Sequence, residues 1–206
     1  MKVLLVNGGP HEKGCTYTAL KEIADTLNSE GIETEIFFVG TEALRGCIGC
    51  GGCTQGRCVF DGDAVNAFLA KAENADGFVF GSPVHFAAAS GAITSFMDRA
   101  FYAGKSFAYK PAAAVVSCRR AGTTAALEQL NKYFMIRNMP VVSSQYWNMV
   151  HGSKPEDVMR DLEGMQTMRV LARNMAWLLR SIEAGKAAGI ELPLPEKEKA
   201  RTNFIR

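Results

Sequence analysis

The fold is most constrained by a set of short apolar segments in which polar residues do not alternate with apolar ones. They occupy residues 3–6, 36–39, 77–80 and 112–116, and residues 141–142 form a shorter fifth segment. A strand with one wet face alternates apolar and polar residues, whereas a strand covered on both faces is continuously apolar. Because segments with helical spacing separate these strands, we expect an α/β fold with a five-stranded parallel sheet and helices on both faces.

The last third of the chain is dominated by one long helical pattern. Apolar residues recur at helical spacing from residue 155 to about residue 184, which predicts a single long C-terminal helix. We expect part of its apolar stripe, with Trp147 and Met149, to form a subunit interface in a homodimer or homotetramer. The alternative is that the whole stripe is core. No linker or internal repeat divides the 206 residues, so we predict a single domain, residues 1–206.

Charge and hydropathy exclude several classes of partner. The formal net charge is only +2, which does not favour nucleic acid or an anionic membrane as a partner. No apolar run approaches the roughly 20 residues that a membrane helix needs. We therefore expect a cytoplasmic protein, in which cysteines stay reduced unless they bind a metal or do redox chemistry. The basic residues near the C-terminus are interpreted as a solvated tail: Lys197, Lys199, Arg201 and Arg206.

A glycine-rich loop, residues 9–16, joins the first predicted strand to the first predicted helix. Its two glycines have the spacing of a P-loop, but Cys15 stands where a nucleotidase needs a lysine. The three-glycine fingerprint of dinucleotide-binding proteins is also absent. Backbone amides, with hydroxyls from Thr16 and from Tyr17 or Thr18, could hold one terminal phosphate at the helix N-terminus. FMN fits that description better than ATP or NAD, and the alternative is a plain turn.

Two further loops follow predicted strands. Residues 81–86 contain glycine and proline, which make a stiff loop that a planar ring can approach closely. Residues 117–123 are small and polar, with the guanidinium of Arg119 nearby. Because ligands bind at the carboxyl ends of parallel strands, we expect these loops and the glycine-rich loop to form one site.

Residues 75–84, 90–91 and 96–99 resemble the NADPH-dependent FMN reductase group of the flavodoxin-like superfamily, and the resemblance covers residues 1–145. It implies strand order 2-1-3-4-5, the FMN phosphate in residues 9–18, and the isoalloxazine ring between residues 83–86 and 117–122. The FMN-binding residues are then Gly9, Pro10, His11, Gly14, Cys15, Thr16, Tyr17, Thr18, Pro83, Val84, His85, Phe86, Ser117, Cys118, Arg119, Ala121 and Gly122.

The chain departs from this family at three of these positions. Gly9 stands where serine is usual and Cys15 where asparagine is usual, which removes side-chain donors to the phosphate and leaves backbone donors. His85 replaces a common tyrosine, either as a stacking ring or as a proton donor. We interpret Cys15 and Cys118 as small packing residues, although a helix N-terminus is expected to lower the pKa of Cys15.

Four cysteines within twelve residues form a separate cluster after the second predicted strand. Cys47, Cys50, Cys53 and Cys58 are separated by glycines that allow tight folding. All-thiolate spacing of this kind suits a [4Fe–4S] cluster or zinc, and the alternative is reduced thiols or a redox pair. The motif resembles that of the iron–sulfur flavoproteins, a branch of the same family that passes electrons between its cluster and FMN, typically across subunits.

The resemblance implies an FMN-dependent NAD(P)H oxidoreductase that reduces a quinone, flavin or similar small acceptor. Such a ping-pong reaction needs no catalytic acid or base from the protein, and we name no catalytic residue. The alternative is an electron carrier that moves electrons between a ferredoxin-like partner, a [4Fe–4S] cluster and FMN. A third interpretation is a flavin-binding sensor without turnover. The sequence leaves open the choice between NADH and NADPH, the acceptor, and the choice between dimer and tetramer.

Overall fold

The computed structural model describes residues 1–194 together with residues 196, 198, 200 and 202. The basic residues interpreted as a solvated tail lie outside this part of the chain. The elements within it follow in the order β1 (Lys2–Asn7), α1 (Cys15–Ser29), β2 (Glu33–Phe38), α2 (Ala64–Ala72), β3 (Gly77–His85), β4 (Ala88–Ala89), α3 (Gly91–Ala103), β5 (Ala112–Cys118), α4 (Thr123–Ile136), β6 (Met149–His151), α5 (Pro155–Arg160) and α6 (Leu162–Ala187).

The sheet is parallel and follows the order β2-β1-β3-β5-β6. If only the five parallel strands are numbered along the chain, this is the predicted order 2-1-3-4-5, which is thereby confirmed. The two-residue strand β4 was not predicted. It pairs antiparallel with the end of β3 and forms a hairpin, residues 84–89, that extends beyond the carboxyl edge of the sheet.

Side chains alternate between two cores because successive residues of a strand point to opposite faces. Leu4 and Phe80 lie on the face covered by α2, α3 and α4. Leu5 and Val79 lie on the face covered by α1 and α6. The first core is rich in aromatic contacts, which involve Phe37, Phe68, Phe78, Phe80, Phe96, Phe101, Phe107 and Phe134.

The prediction of a last strand at residues 141–142 is wrong. Val141 makes only an isolated bridge to Ala112, and the Val142 amide donates to the Ala112 carbonyl at 2.8 Å. The chain then leaves the sheet and returns to pair with the other end of β5 as β6. Val141 and Val142 have side chains more typical of a strand than those of Met149–His151. The parallel backbone pairing with β5 is nevertheless made by β6.

The prediction of a long C-terminal helix is confirmed by α6, but the predicted start at residue 155 is wrong, because the chain breaks at Asp161 between α5 and α6. Asp161 has φ −75° and ψ 80°, and its carboxylate accepts from the Gly164 amide at 2.9 Å and from the His151 amide at 2.7 Å. It therefore caps α6 and ties it to β6. The apolar spacing continues across the break, so the pattern alone does not reveal it.

The apolar stripe of α6 packs on α1 and the sheet. Its buried residues include Met168, Ala172 and Met175, all fully inaccessible to solvent. Leu162, which the pattern placed on the stripe, and Trp177 beside it are 77% and 68% exposed. Most of the stripe is thus core in this chain, and a subunit interface stays a prediction. Within the described residues, no helix is long and apolar enough to cross a membrane.

Candidate functional site

The loops after β1, β3 and β5 meet at the carboxyl edge of the sheet. The register places Asn7 beside Gly81 and Pro83 beside Ser117. The amide of Gly8 donates to the Gly81 carbonyl at 2.9 Å, so the first loop is tied to the middle strand at its start. The three loops predicted from separate parts of the sequence therefore border one region.

The glycine loop, residues 8–14, is held from inside by a residue that the sequence reasoning did not select. Asn7 is fully buried. Its Oδ1 accepts from the Gly9 amide at 3.0 Å and its Nδ2 donates to the Glu12 carbonyl at 2.9 Å. One amide side chain therefore spans the loop and fixes its path. The available signal was an asparagine at the end of an apolar strand, directly before two glycines.

The N-terminus of α1 is open towards this region. Gly14 is the N-cap residue and offers no side chain to the amides of the first turn, which have no partner within a helix. The hydroxyl of Thr18 donates to the Gly14 carbonyl at 3.1 Å, and that of Thr16 shares a buried 2.9 Å hydrogen bond with Ser117. The positive end of the helix is therefore presented by backbone amides rather than by capping side chains.

Two clefts flank the glycine loop. One of about 360 Å³ is lined only by residues that the sequence predicted for the site: Gly9, Pro10, His11, Gly14, Cys15, Thr16, Pro83 and Ser117. The other, of about 520 Å³, is lined by Gly8, Gly9, Pro10, Gly40, Thr41, Glu42, His85, Ser90, Gly91 and Ala92. The contribution of residues 40–42, after β2, was not predicted, because the apolar pattern ends there.

The hairpin at residues 84–89 turns through two residues with positive φ. Phe86 has φ 50° and Ala87 has φ 61°. Two-residue turns of this kind normally use asparagine and glycine, because other L-residues are strained there by about 1–3 kcal/mol each. The Ala89 amide donates to Gln129 Oε1 at 3.1 Å, which helps to hold the turn. The ring of Phe86 is fully exposed at its tip.

The loop after β5, residues 119–122, packs against this hairpin. Gly122 has φ 95°, and a Cβ at this position would lie 2.6 Å from Ala87 Cα. Arg119 and Ala121 are exposed, whereas Cys118 is buried. The structure thus brings Val84 and Gly122 together and places Arg119 at the rim.

The two cysteines beside the site are shielded thiols. Cys15 Sγ donates a weak 3.7 Å hydrogen bond to the Gly152 carbonyl. Burial raises the pKa of Cys15, so the expectation that the helix N-terminus lowers it is wrong. Burial also raises the pKa of Cys118. The raised pKa values disfavour reactive thiolates at both positions, and their interpretation as packing residues stays a prediction.

The cysteine segment, residues 47–58, lines neither of the two clefts. Cys47 and Cys50 are exposed, Cys53 is half-buried and Cys58 is buried. Gly49, Gly51 and Gly56 all have positive φ, which gives the segment its bends. Burial raises the pKa of Cys53. Across residues 1–194, no three Cys, His, Asp or Glu side chains lie close enough together to hold a metal ion.

One buried arginine of α3 holds the cysteine segment in place. Arg99 is 1% exposed, and its Nε donates to Cys58 Sγ at 3.3 Å. The same guanidinium donates to the Phe60 carbonyl at 2.9 Å and the Arg45 carbonyl at 3.3 Å. It also forms an ion pair with Asp63, the residue that caps α2. The sequence indicated Arg99 only as one of residues 96–99 in the family resemblance.

Comparison with known proteins shows which proteins this chain is similar to. The family model described as NADPH-dependent FMN reductase matches residues 1–154. An iron-sulfur flavoprotein of Methanocaldococcus jannaschii is 32% identical over 193 residues, which cover 89% of this chain and 100% of that protein. A second iron-sulfur flavoprotein of the same organism is 28% identical over 189 residues, covering 82% and 92% respectively.

Two solved structures have similar folds. RosB with bound 8-demethyl-8-formylriboflavin-5'-phosphate has a TM-score of 0.72 at 15% identity, covering 100% of this chain and 92% of that one. The flavodoxin, WrbA-like protein from Agrobacterium tumefaciens has a TM-score of 0.60 at 14% identity, covering 87% and 97%. At this identity the similarity establishes the flavodoxin-like fold.

Proposed function

Because this chain belongs to the NADPH-dependent FMN reductase family and is an FMN-dependent oxidoreductase, we propose that it oxidises NAD(P)H and reduces a quinone, a flavin or a similar small acceptor. The observation that carries the proposal is the open N-terminus of α1, which faces a cleft formed by the loops after β1, β3 and β5. We assign the 360 Å³ cleft to the phosphate end of FMN. We assign the hairpin, residues 84–89, and the loop after β5, residues 119–122, to the isoalloxazine ring.

The residues of the cleft fit a phosphate monoester. Its lining contains no lysine or arginine, so the phosphate oxygens would accept from the first-turn amides of α1 and from an imidazole N–H of His11. A side chain at position 9 would be crowded, since a Cβ there would lie 3.0 Å from Asn7 Oδ1 and 3.2 Å from Thr16 Oγ1. The loop thus approaches the cleft as bare backbone.

The ring loops orient and shield the cofactor. FMN, when bound, supplies hydride acceptance and the return of one or two electrons. Pro83 stiffens the end of β3, and contact between Gly122 and Ala87 braces the two loops against each other. His85, which is exposed on the hairpin beside the second cleft, is placed to stack on a planar ligand. These roles require no acid or base from the protein.

The experiment that tests this proposal is an anaerobic titration of the FMN-loaded protein with NADPH and, separately, with NADH. We expect the visible flavin absorption to bleach with at least one nicotinamide and to return on addition of a quinone. The control for non-enzymatic reduction is a sample of denatured protein with free FMN in the same buffer. A loaded protein that neither nicotinamide reduces contradicts the proposal.

A second candidate function is electron transfer between a protein partner, a [4Fe–4S] cluster and FMN. It is favoured by the four cysteines of the cysteine segment and by the iron-sulfur flavoprotein relatives. The donor set fits in chemistry, because four thiols that form no disulfide within the described residues supply the ligands of one cluster. Binding requires the exposed Cys47 and Cys50 to move towards Cys58.

Iron content separates the two candidates. For the carrier we expect about four iron and four sulfide per chain after anaerobic purification, and reduction by a reduced ferredoxin. A plain reductase contains FMN without iron. The assembly, a homodimer or homotetramer, and a cytoplasmic location stay predictions. Sedimentation velocity tests the assembly, with Leu162→Gln and Trp177→Gln as variants at exposed apolar positions.

A further inference from the structure

The side chain of Arg99 joins both ends of the cysteine segment to helix α3. Its acceptors are the carbonyl of Arg45, before the first cysteine, and Cys58 Sγ and the Phe60 carbonyl after it. The chain between these acceptors contains Cys47, Cys50 and Cys53. One side chain therefore anchors the backbone on both sides of the stretch that contains Cys47, Cys50 and Cys53.

The charge of this arginine is matched within the same network. Arg99 is almost completely buried, and a buried guanidinium is stable only with partners for its charge and its N–H groups. Asp63 supplies the countercharge and is itself fixed as the N-cap of α2 through the Val65 amide at 3.1 Å. Asn66 accepts from the Cys58 amide at 2.9 Å and donates to the Cys58 carbonyl at 3.0 Å. Backbone and sulfur of Cys58 are thus both held.

Cys47 and Cys50 have no comparable anchor, whereas Cys53 is half-buried and packs against the core. Cys47 and Cys50 are exposed, and the glycines around them adopt bends that leave open space where a side chain would be. Cys58 is therefore the one cysteine of the four that is buried and held through both its sulfur and its backbone. Metal-bound thiolates commonly accept hydrogen bonds from the surrounding shell, and loss of such contacts typically weakens metal binding by about 10–100-fold.

We propose that Arg99 is a positioning residue for a thiolate metal centre, because it holds Cys58 as the fixed ligand and closes the segment so that Cys47, Cys50 and Cys53 can reach it. This proposal rests on the four-cysteine part of the proposed function. Lysine cannot replace arginine here, because one ammonium group cannot serve the sulfur, two carbonyls and Asp63 together.

The test is an anaerobic titration of the full, FMN-loaded chain with cobalt chloride, read by thiolate-to-cobalt charge-transfer absorption. Arg99→Lys keeps the charge beside Asp63, and the double variant Arg99→Gln/Asp63→Asn removes both charges, so a buried unpaired charge is avoided in each. Arg57→Gln is the matched control, because Arg57 lies in the same segment but is exposed and paired only with Asp61 at 3.0 Å.

We expect cobalt binding by the wild-type chain and by Arg57→Gln to agree within about twofold, and both Arg99 variants to bind about 10–100-fold more weakly while retaining bound FMN. Wild-type affinity in FMN-loaded Arg99→Lys and in the double variant overturns the proposal. If the wild-type chain itself shows no thiolate-to-cobalt absorption, the cysteine segment does not hold a metal and this proposal fails, whereas the FMN reductase function is still decided by the nicotinamide titration. Loss of FMN from an Arg99 variant also overturns the proposal, because Arg99 then supports the whole domain rather than the segment.

Discussion

The substitution Gly122→Ala tests whether the contact between the two ring loops shapes the site. Gly122 has φ 95°, and its added Cβ would lie 2.6 Å from Ala87 Cα and 2.9 Å from Ala87 Cβ. The positive φ costs an L-residue about 1–2 kcal/mol, and overpacking against backbone costs about 1–3 kcal/mol more. The neighbour is main chain and cannot rotate away. The hairpin or the start of α4 must therefore move, and the free energy of unfolding should fall by about 2–5 kcal/mol.

The control is Gly31→Ala, which has φ 74° but no atom within 4 Å of the added Cβ. It carries the backbone strain without the clash, so the difference between the two variants isolates the loop contact. Urea unfolding gives the stability, and quenching of FMN fluorescence gives the affinity. We expect Gly122→Ala to weaken FMN binding about tenfold, equivalent to about 1.4 kcal/mol, and Gly31→Ala to leave it unchanged. Equal FMN affinity in both variants would refute the assignment of these loops to the ring.

Three further predictions concern the glycine loop, the aromatic core and alkaline pH. Asn7→Ala should weaken FMN binding about tenfold and riboflavin binding far less. The substitution removes the hydrogen bonds of Asn7 to the glycine loop, each of about 1 kcal/mol, and so releases the loop proposed to bind the phosphate. Equal losses of FMN and riboflavin affinity in a fluorescence titration would contradict this. Phe68→Ala should lower the free energy of unfolding in urea by about 3–5 kcal/mol, because Phe68 is fully buried against several aromatic rings. Burial and a hydrogen bond to Asp98 raise the pKa of Tyr133 above its ordinary 10.0. The unfolded chain therefore releases this proton first, and the associated stability is present below pH 10.0 and lost above it. Urea midpoints on either side of that pH should show a smaller alkaline loss in Tyr133→Phe than in the wild type.

The parallel sheet could be predicted because burial on both faces leaves a direct trace in the sequence. Leu4 and Leu5 belong to opposite cores, and both must be apolar. The end of the sheet leaves no such trace, since β6 has only three residues and its pairing with β5 depends on backbone. The break at Asp161 was missed for a related reason. An aspartate within a periodic apolar stripe is compatible with a continuous helix, and only its bonds to Gly164 and His151 make it a cap.

The sequence also located one side of the candidate site better than the other. Every residue that lines the 360 Å³ cleft was predicted, because glycine, proline and small polar residues mark the loops after buried strands. Asn7 and Arg99 were missed as functional residues. Their importance comes from bonds to partners that the fold brings together, such as Arg99 and Cys58, which are separated by 41 residues. A spacing rule cannot anticipate contacts of this kind.

One departure of the glycine loop from its family, Gly9, is explained by a single side chain. Serine is usual at position 9, but a Cβ there would lie 3.0 Å from Asn7 Oδ1, so the buried amide of Asn7 takes up the space that a serine needs. In return, Asn7 accepts from the Gly9 amide and donates to the Glu12 carbonyl, which fixes the backbone that a serine side chain would otherwise supplement. The first turn of α1 provides the remaining donors. The chain therefore holds these backbone amides in a fixed orientation, which is the arrangement that our proposed phosphate site requires.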